Sequence, residues 1–295
     1  MIYTIYIILY LKNLSIIMQL DYIYLKEKYL KYFEGNQVLC DHVLTDVIFG
    51  FKELYDILQN NKVQSVLEIG SGTGLLLNEL KSHFPNIEFE GLDPNESGFH
   101  NYKKISKKIE AENNSFHINN SSVENYKKEK KYDLIFSVNV FEHVKDHPKY
   151  IDKTLKLLNN GGTNIIISPN YDFPYEPHFV LPLVINKDIT YTIFKFFINR
   201  HEAKTKERGL WKDLNLNGKK KIEKILKDQN INYTFDYKIK DRILERIFKD
   251  KIFKKRQGFA ATLTVIGSYL KIDKLFFNFL KIPFPYMKLI IKNEK

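Results

Sequence analysis

Apolar positions change their period several times along the chain. Val47, Phe51, Leu54 and Leu58 recur at steps of three and four and predict a helix within residues 41–58. The polar-aromatic stretch Tyr22–Phe33 is also compatible with a helix. From residue 63 the character changes. Val63–Ile69 is a short apolar run that predicts a strand, and a glycine loop follows it. Leu77, Leu80 and Phe84 fit one face of a helix that stops before Pro85. Ile87–Leu92, Phe116–Ile118 and Tyr132–Val138 predict three more strands. The last of these is nearly all apolar, as a strand buried on both faces is. Ile151, Leu155 and Leu158 mark another helix, closed by Gly161-Gly162, and Thr163–Ser168 predicts a fifth strand. After Pro169 the alternation lapses. Ile222–Leu226 fits a helix, and Asn232–Tyr237 and Ala260–Ile266 predict two closing strands. Strands alternating with helices predict an α/β fold: a mostly parallel, seven-stranded sheet with helices on both faces.

The same pattern divides the chain. Residues 1–59 read as an N-terminal helical extension, 60–170 as a Rossmann-like core and 171–213 as a cap or insertion rich in Pro, Phe and Tyr. Residues 214–270 supply the closing helix and strands, and 271–295 a basic aromatic tail. The apolar run Met1–Leu11 is shorter than the roughly 18–20 residues that span a bilayer. No basic residue precedes it and no small-residue cleavage site follows, which argues against a signal peptide. Met18 opens a more ordinary sequence, so residues 1–17 are read as a start-site artefact or a weak membrane-touching segment.

Composition narrows the classes. The single cysteine, Cys40, excludes an intrachain disulfide and a cysteine-based zinc site, and suits the cytoplasm. The net charge of +11 favours anionic partners. Lys, Asn and Ile are abundant throughout, however, so the charge reads as compositional bias with dispersed basic residues, and no RNA-binding module is visible. Ile193–Arg200 and Leu275–Lys292 mix large apolar side chains with basic ones. Such segments can lie at the interface of an anionic membrane, here its inner face, or pack on the core or against a second copy.

Chemistry concentrates at the first strand end. Val66-Leu67-Glu68-Ile69-Gly70-Ser71-Gly72-Thr73-Gly74 runs a buried strand into three alternate glycines before a helix. Ligands of open α/β sheets bind at the carboxyl ends of the strands, where strand order reverses. A dinucleotide fingerprint needs its third glycine at position 75, which is Leu75, and a phosphate loop needs Gly-Lys-Ser/Thr, which is absent. Glu68 would sit badly beside a pyrophosphate. It suits a ligand with an ammonium group, such as the methionine part of S-adenosylmethionine. Asp93, followed by Pro94, ends the second strand, where a carboxylate accepts both ribose hydroxyls.

Together, VLEIGSGTG, Asp93 and YDLIFSVNVFEHV resemble the successive signatures of class I S-adenosylmethionine-dependent methyltransferases over roughly residues 60–170. The resemblance implies S-adenosyl-L-methionine as cofactor and Glu68, Gly70, Ser71, Gly72, Gly74, Asp93 and Pro94 in its cradle. It implies Ser121 and Ser122, after the third strand, beside the adenine. Val138 and Asn139, ending the fourth strand, would lie along the methionine part. The Glu142-His143 pair is similar to one in the ubiquinone-pathway O-methyltransferases. Some of those carry a further Glu three residues earlier and hold a divalent metal with the set. That position is Asn139 here, so no metal is expected. His143 is a candidate general base, since an imidazole titrates near neutral pH. Ser168-Pro169-Asn170-Tyr171 lacks the second proline of the base-methylase motif and follows strand five instead of four, which excludes that class. The run through Phe173-Pro174-Tyr175-Glu176-Pro177-His178-Phe179 resembles bacterial methyltransferases of unassigned substrate. It makes Tyr171, Glu176 and His178 candidates for the acceptor pocket or for a proline-braced structural loop.

The leading expectation is methyl transfer to a small-molecule, sugar or lipid-linked acceptor. The alternatives are an RNA methyltransferase and a non-catalytic cofactor-binding protein.

Overall fold

In the computed structural model, residues 22–60, 63–94, 99–113, 116–205, 207–272, 277, 279 and 281–294 are described. The expected start at Met18 and the segment 1–17 lie outside them. Met1–Lys62 and Val63–Lys295 form two compact units. In the first, helix α1 (Tyr22–Tyr29), a 3-10 turn (Leu30–Phe33) and helix α2 (Gln37–Asn60) follow one another. Lys26 Nζ lies 2.8 Å from Asp41 Oδ1, to which Tyr22 also donates, so one carboxylate ties α1 to α2.

In the second unit the apolar runs become strands because both of their faces are covered. β1 (Ser65–Ile69) leads into α3 (Leu75–His83), β2 (Glu88–Leu92) into α4 (His100–Asn113), and β3 (His117–Asn119) into β4 (Tyr132–Val138). Helix α5 (His147–Lys156) and β5 (Leu158–Pro169) complete the parallel part. Asp146 caps α5 by accepting from the Lys149 N–H, and α3 stops where Pro85 cannot continue it. The Leu67, Ile135, Phe136 and Ile166 side chains are fully buried in the sheet core.

After β5 comes a hairpin of β6 (Tyr175–Glu176) and β7 (Leu181–Pro182), then α6 (Lys187–Thr205) and the short α7 (Leu210–Asp213). This stretch has an apolar cluster of its own around Phe179, Ile198, Leu210, Trp211 and Leu214. Helix α8 (Lys219–Asp228) returns to the sheet, followed by β8 (Tyr233–Phe235), α9 (Ile239–Lys249), α10 (Lys251–Tyr269) and β9 (Tyr286–Lys292).

The sheet has seven strands in the order β3-β2-β1-β4-β5-β9-β8, and β9 runs antiparallel to both neighbours. Strand order reverses between β1 and β4, so a crevice opens at their carboxyl ends.

Three expectations need correction. Ala260–Ile266 lies within helix α10, not a closing strand. The strand that closes the sheet is β9, in the segment read as a tail: Met287, Leu289 and Ile291 alternate inward and are buried. Leu158 belongs to β5, and α5 ends at Lys156 before the glycine pair. Apolar, β-branched runs satisfy both helix and strand periods over a few residues, so the period alone does not separate them.

Candidate functional site

The glycine loop is folded back onto the end of β2. The N–H groups of Gly70 and Ser71 both donate to the Leu92 carbonyl, at 2.7 and 3.1 Å. The Gly72 N–H donates to Asp93 Oδ2 at 2.6 Å. Gly70 and Gly72 sit at φ +72° and +52°, a region that L side chains avoid. A Cβ on Gly70 would lie 2.3 Å from the Val140 side chain, and one on Gly72 would lie 3.1 Å from the Tyr102 ring. The Ser71 hydroxyl turns inward and would be 2.6 Å from a Cβ at Gly91. Ser71 therefore offers backbone, not its side chain, to the crevice. Gly74 lies at the start of α3, and its N–H donates to the Ser71 carbonyl at 2.8 Å.

Glu68 is the chemical oddity of this floor. It is buried, and its Oε2 has no hydrogen-bond partner. Burial first, and the charge of Asp93 second, push its carboxyl well above the usual range. A buried carboxyl oxygen without a partner is costly unless a cation or donor meets it. Asp93 is itself buried and Pro94 follows it. Ser121 and Ser122 follow β3 after Asn120 and are half-buried, with the Ser121 hydroxyl donating to the Ser122 carbonyl. Val138 ends β4. Asn139 adopts a left-handed φ of +56°, donates its N–H to the Ile167 carbonyl at 2.9 Å and accepts from the Tyr286 hydroxyl. Tyr286 begins β9 and was not foreseen. Its signal was the apolar alternation after it, which marks a strand and not a tail.

The second cluster starts one turn beyond Asn139. Phe141–His143 form a 3-10 turn held from outside by Asn215. The Asn215 N–H donates to the Glu142 carbonyl at 2.8 Å, and its side-chain amide donates to the Phe141 and Val144 carbonyls at 3.2 and 2.9 Å. Nothing in the sequence marked Asn215. The turn presents Glu142, whose side chain is buried with both carboxylate oxygens unpartnered, and His143, whose Nδ1 is buried and unpartnered.

The loop after β5 supplies the other half. His178 Nδ1 lies 2.6 Å from Glu176 Oε1, and its Nε2 lies 3.4 Å from Glu142 Oε1. Glu176 also accepts from the Tyr171 hydroxyl at 3.1 Å and the Phe179 N–H at 2.7 Å. Its capacity is thus used within the loop, and it acts on the site through His178. Burial alone would lower the His178 pKa, but Glu176 and Glu142 outweigh it and lift the ring to about 10. Burial raises the Glu176 carboxyl, but the His178 ring and the Phe179 and His178 N–H groups together outweigh it and leave the carboxyl below its ordinary value. Burial depresses His143. The three residues expected in catalysis, His143, Glu176 and His178, therefore converge. Asn170, in contrast, is structural: its side chain accepts from the Asp172 and Lys219 N–H groups and donates to the Phe284 carbonyl.

Rings join the two clusters. Phe99 lies 5.3 Å from the Tyr102 ring and 5.5 Å from the His143 ring, and His143 lies 5.9 Å from the His178 ring. Among the described residues, Glu142, His143 and His178 each offer a metal-ligating atom, all within 4.8 Å of one another.

A family model described as a methyltransferase domain matches residues 47–218. The chain belongs to the methyltransferase-domain family. Its core is that of the class I S-adenosylmethionine-dependent enzymes. An uncharacterised protein of Mycobacterium tuberculosis is 27% identical over 196 residues, covering 66% of each chain. A malonyl-[acyl-carrier protein] O-methyltransferase of Ilyobacter polytropus is 35% identical over 121 residues, 41% of this chain and 45% of the relative. In fold the chain is similar to a Haemonchus contortus phosphoethanolamine N-methyltransferase solved with S-adenosyl-L-methionine. The TM-score is 0.51 at 17% identity, covering 83% of this chain and 52% of that one. The chain thus spans 66% of the mycobacterial relative and about half of the nematode enzyme.

Proposed function

We propose that this chain transfers a methyl group from S-adenosyl-L-methionine to a small-molecule, sugar or lipid-linked acceptor. The observation that carries the reading is the buried Glu68 carboxyl near the end of β1, whose Oε2 has no hydrogen-bond partner, beside three left-handed glycines. An α-ammonium group meets that need, and a pyrophosphate does not. Gly70, Ser71, Gly72 and Gly74 supply the backbone of the cradle, and Asp93, with Pro94, the ribose side. Ser121 and Ser122 flank the adenine, and Val138 and Asn139 lie along the methionine part. When bound, the cofactor supplies a methyl group already made electrophilic by its sulfonium. The chain need only align the acceptor, hold its polar groups and exclude water.

The acceptor side is assigned to Glu142, His143 and His178, with Glu176 positioning His178. Glu142 and His143 hold buried polar atoms without a hydrogen bond among the described residues, and His178 approaches Glu142 at 3.4 Å. The Ilyobacter relatives, named for a malonyl-[acyl-carrier protein] acceptor, favour a small reacting group over RNA. Exposed aromatic and aliphatic side chains on α6 and α10 favour a lipid-linked acceptor, reached at a membrane surface.

Calorimetry tests the reading. Purified protein is expected to bind S-adenosylhomocysteine and not NAD. Asp93→Ala removes acceptors whose hydrogen bonds are worth about 1.5–3 kcal/mol, so affinity should fall at least tenfold. Preference for NAD, or unchanged binding by the variant, would refute the cofactor assignment.

A further inference from the structure

The polar atoms on the acceptor side are not satisfied by one another. Glu176 is: three donors reach it. Glu142 is not, because the 3.4 Å approach of His178 Nε2 leaves both of its oxygens without a hydrogen bond. The His143 ring brings a nitrogen within 4.8 Å of the Glu142 and His178 donors, and its Nδ1 is buried without a partner. A closed ion pair between His178 and Glu142 would explain one of these atoms and leave His143 Nδ1 and a carboxylate oxygen stranded.

We propose that Glu142, His143 and His178 form a binding site for one divalent transition-series cation of the zinc, cobalt or iron(II) type. Their ligating atoms lie within 4.8 Å of one another. Tetrahedral bonds of about 2.0–2.2 Å to one ion place the donors about 3.3–3.6 Å apart, so side-chain rotations that draw them in by about 1 Å close the site. Two elements hold the ligands independently. The turn carrying Glu142 and His143 is fixed by Asn215, and His147 Nε2 lies 3.0 Å from the Phe141 carbonyl. His178 is aimed by Glu176, which takes Nδ1 at 2.6 Å and leaves Nε2 facing Glu142. A carboxylate on the distal nitrogen is the usual support of a metal-bound histidine, since it fixes both tautomer and ring orientation.

The donor set chooses the ion. Two imidazoles and one carboxylate suit zinc, cobalt and iron(II), whereas magnesium and calcium prefer an all-oxygen shell. Glu142 and Glu176 bring two carboxyl groups to the dication, one as a ligand and one behind His178. Three protein ligands also leave coordination positions open on the side assigned to the acceptor. The expectation of no metal rested on Asn139 in place of a carboxylate. It counted ligands on the β4 segment alone, whereas His178 arrives from the loop after β5.

This inference does not rest on the methyl-transfer reading, and its test reads metal directly. Protein stripped with a chelator and dialysed is titrated with Zn2+ by calorimetry and with Co2+ by visible absorption. One equivalent of each is expected, with the Co2+ bands of a nitrogen- and oxygen-bound ion. Glu142→Gln and His178→Asn should each weaken Zn2+ binding by more than about tenfold, and Glu176→Gln by about 10–100-fold through His178. The exposed His117 serves as control, and His117→Asn should bind as wild type. Circular dichroism melting identifies any variant that fails to fold, and the remaining ones carry the test. S-Adenosylhomocysteine binding on the same samples keeps the two readings apart. Absence of a stoichiometric ion in wild type, or unchanged affinity in the folded ligand variants, overturns the proposal.

Discussion

Glu68 places a titrating group directly under the proposed cofactor. Its carboxyl is held well above the ordinary range by burial and by Asp93 just after β2, the charged group that acts on it. The ligand-free protein therefore keeps a proton there at pH values where an exposed glutamate has lost it. Pairing with an ammonium group requires the ionised form. Binding should thus release a proton, and affinity should weaken as pH falls. The window lies below about pH 7.7, where the ligand's α-amino group still carries its charge. Calorimetry in two buffers of different ionisation heat measures the released proton. Glu68→Gln should bind more weakly and lose the pH dependence; a variant that keeps both would place the ammonium elsewhere. The type and position of Glu68 were legible in the sequence, because an acid two residues before a glycine loop is chemically specific. Its lack of a partner was not legible, since that depends on what β2 and β4 bring alongside. Nor were Asn215 and Tyr286, which reach the site only through the return of the chain from the cap and through β9.

At the scale of elements, β9 carries the largest revision. YMKLIIK places Met287, Leu289 and Ile291 on one face, a period of two that local lysines obscured. Lys288 is itself buried, so charge did not mark the solvent side. The strand pairs with β5 from Thr163 to Pro169 and with β8, which makes it an interior strand of the sheet. Removing residues 271–295 would therefore remove the sheet's closure and not a surface appendage. The milder test is Leu289→Ala. Leu289 is fully buried, and truncating such a side chain costs about 2–5 kcal/mol. A fall in the denaturation midpoint of that size, by urea titration with a circular dichroism readout, is expected. A loss below about 1 kcal/mol would show that β9 contributes little to the core. Strands β1, β2 and β5 were legible because their apolar runs lie at or near glycine or proline, and β4 because its run is nearly all apolar. Helix α10 was not: Thr262, Leu263, Thr264, Val265 and Ile266 favour a strand locally, yet they lie in the helical stretch after the kink at Gly258, with Ala261 buried.

At the scale of the whole molecule, the net charge of +11 acquires a direction from two helices. On α6, Ile189, Ile193, Phe196 and Phe197 are exposed, with Lys195 and Arg200 among them. On α10 and just after it, Phe259, Leu263, Ile266 and Leu270 are exposed at steps of four, three and four, one face of a helix. No helix among the described residues is long and apolar enough to cross a membrane. Exposed rings beside lysines instead suit the head-group layer of anionic lipid, where apolar burial and charge attraction add. Both helices belong to the unit that holds the candidate site, so a lipid-linked acceptor would be met where it is anchored. Flotation with vesicles containing an anionic phospholipid measures this. The protein should rise with the vesicles at low salt and partly return to the bottom at high salt, because the charge contribution is screened. Phe196→Ser with Phe197→Ser, and separately Phe259→Ser with Leu263→Ser, should each reduce flotation with unchanged melting, since these side chains are already exposed. Protein that stays at the bottom in every condition would exclude the membrane. The exposed faces would then await a soluble partner or a second copy, and a soluble acceptor would take the place of the lipid-linked one.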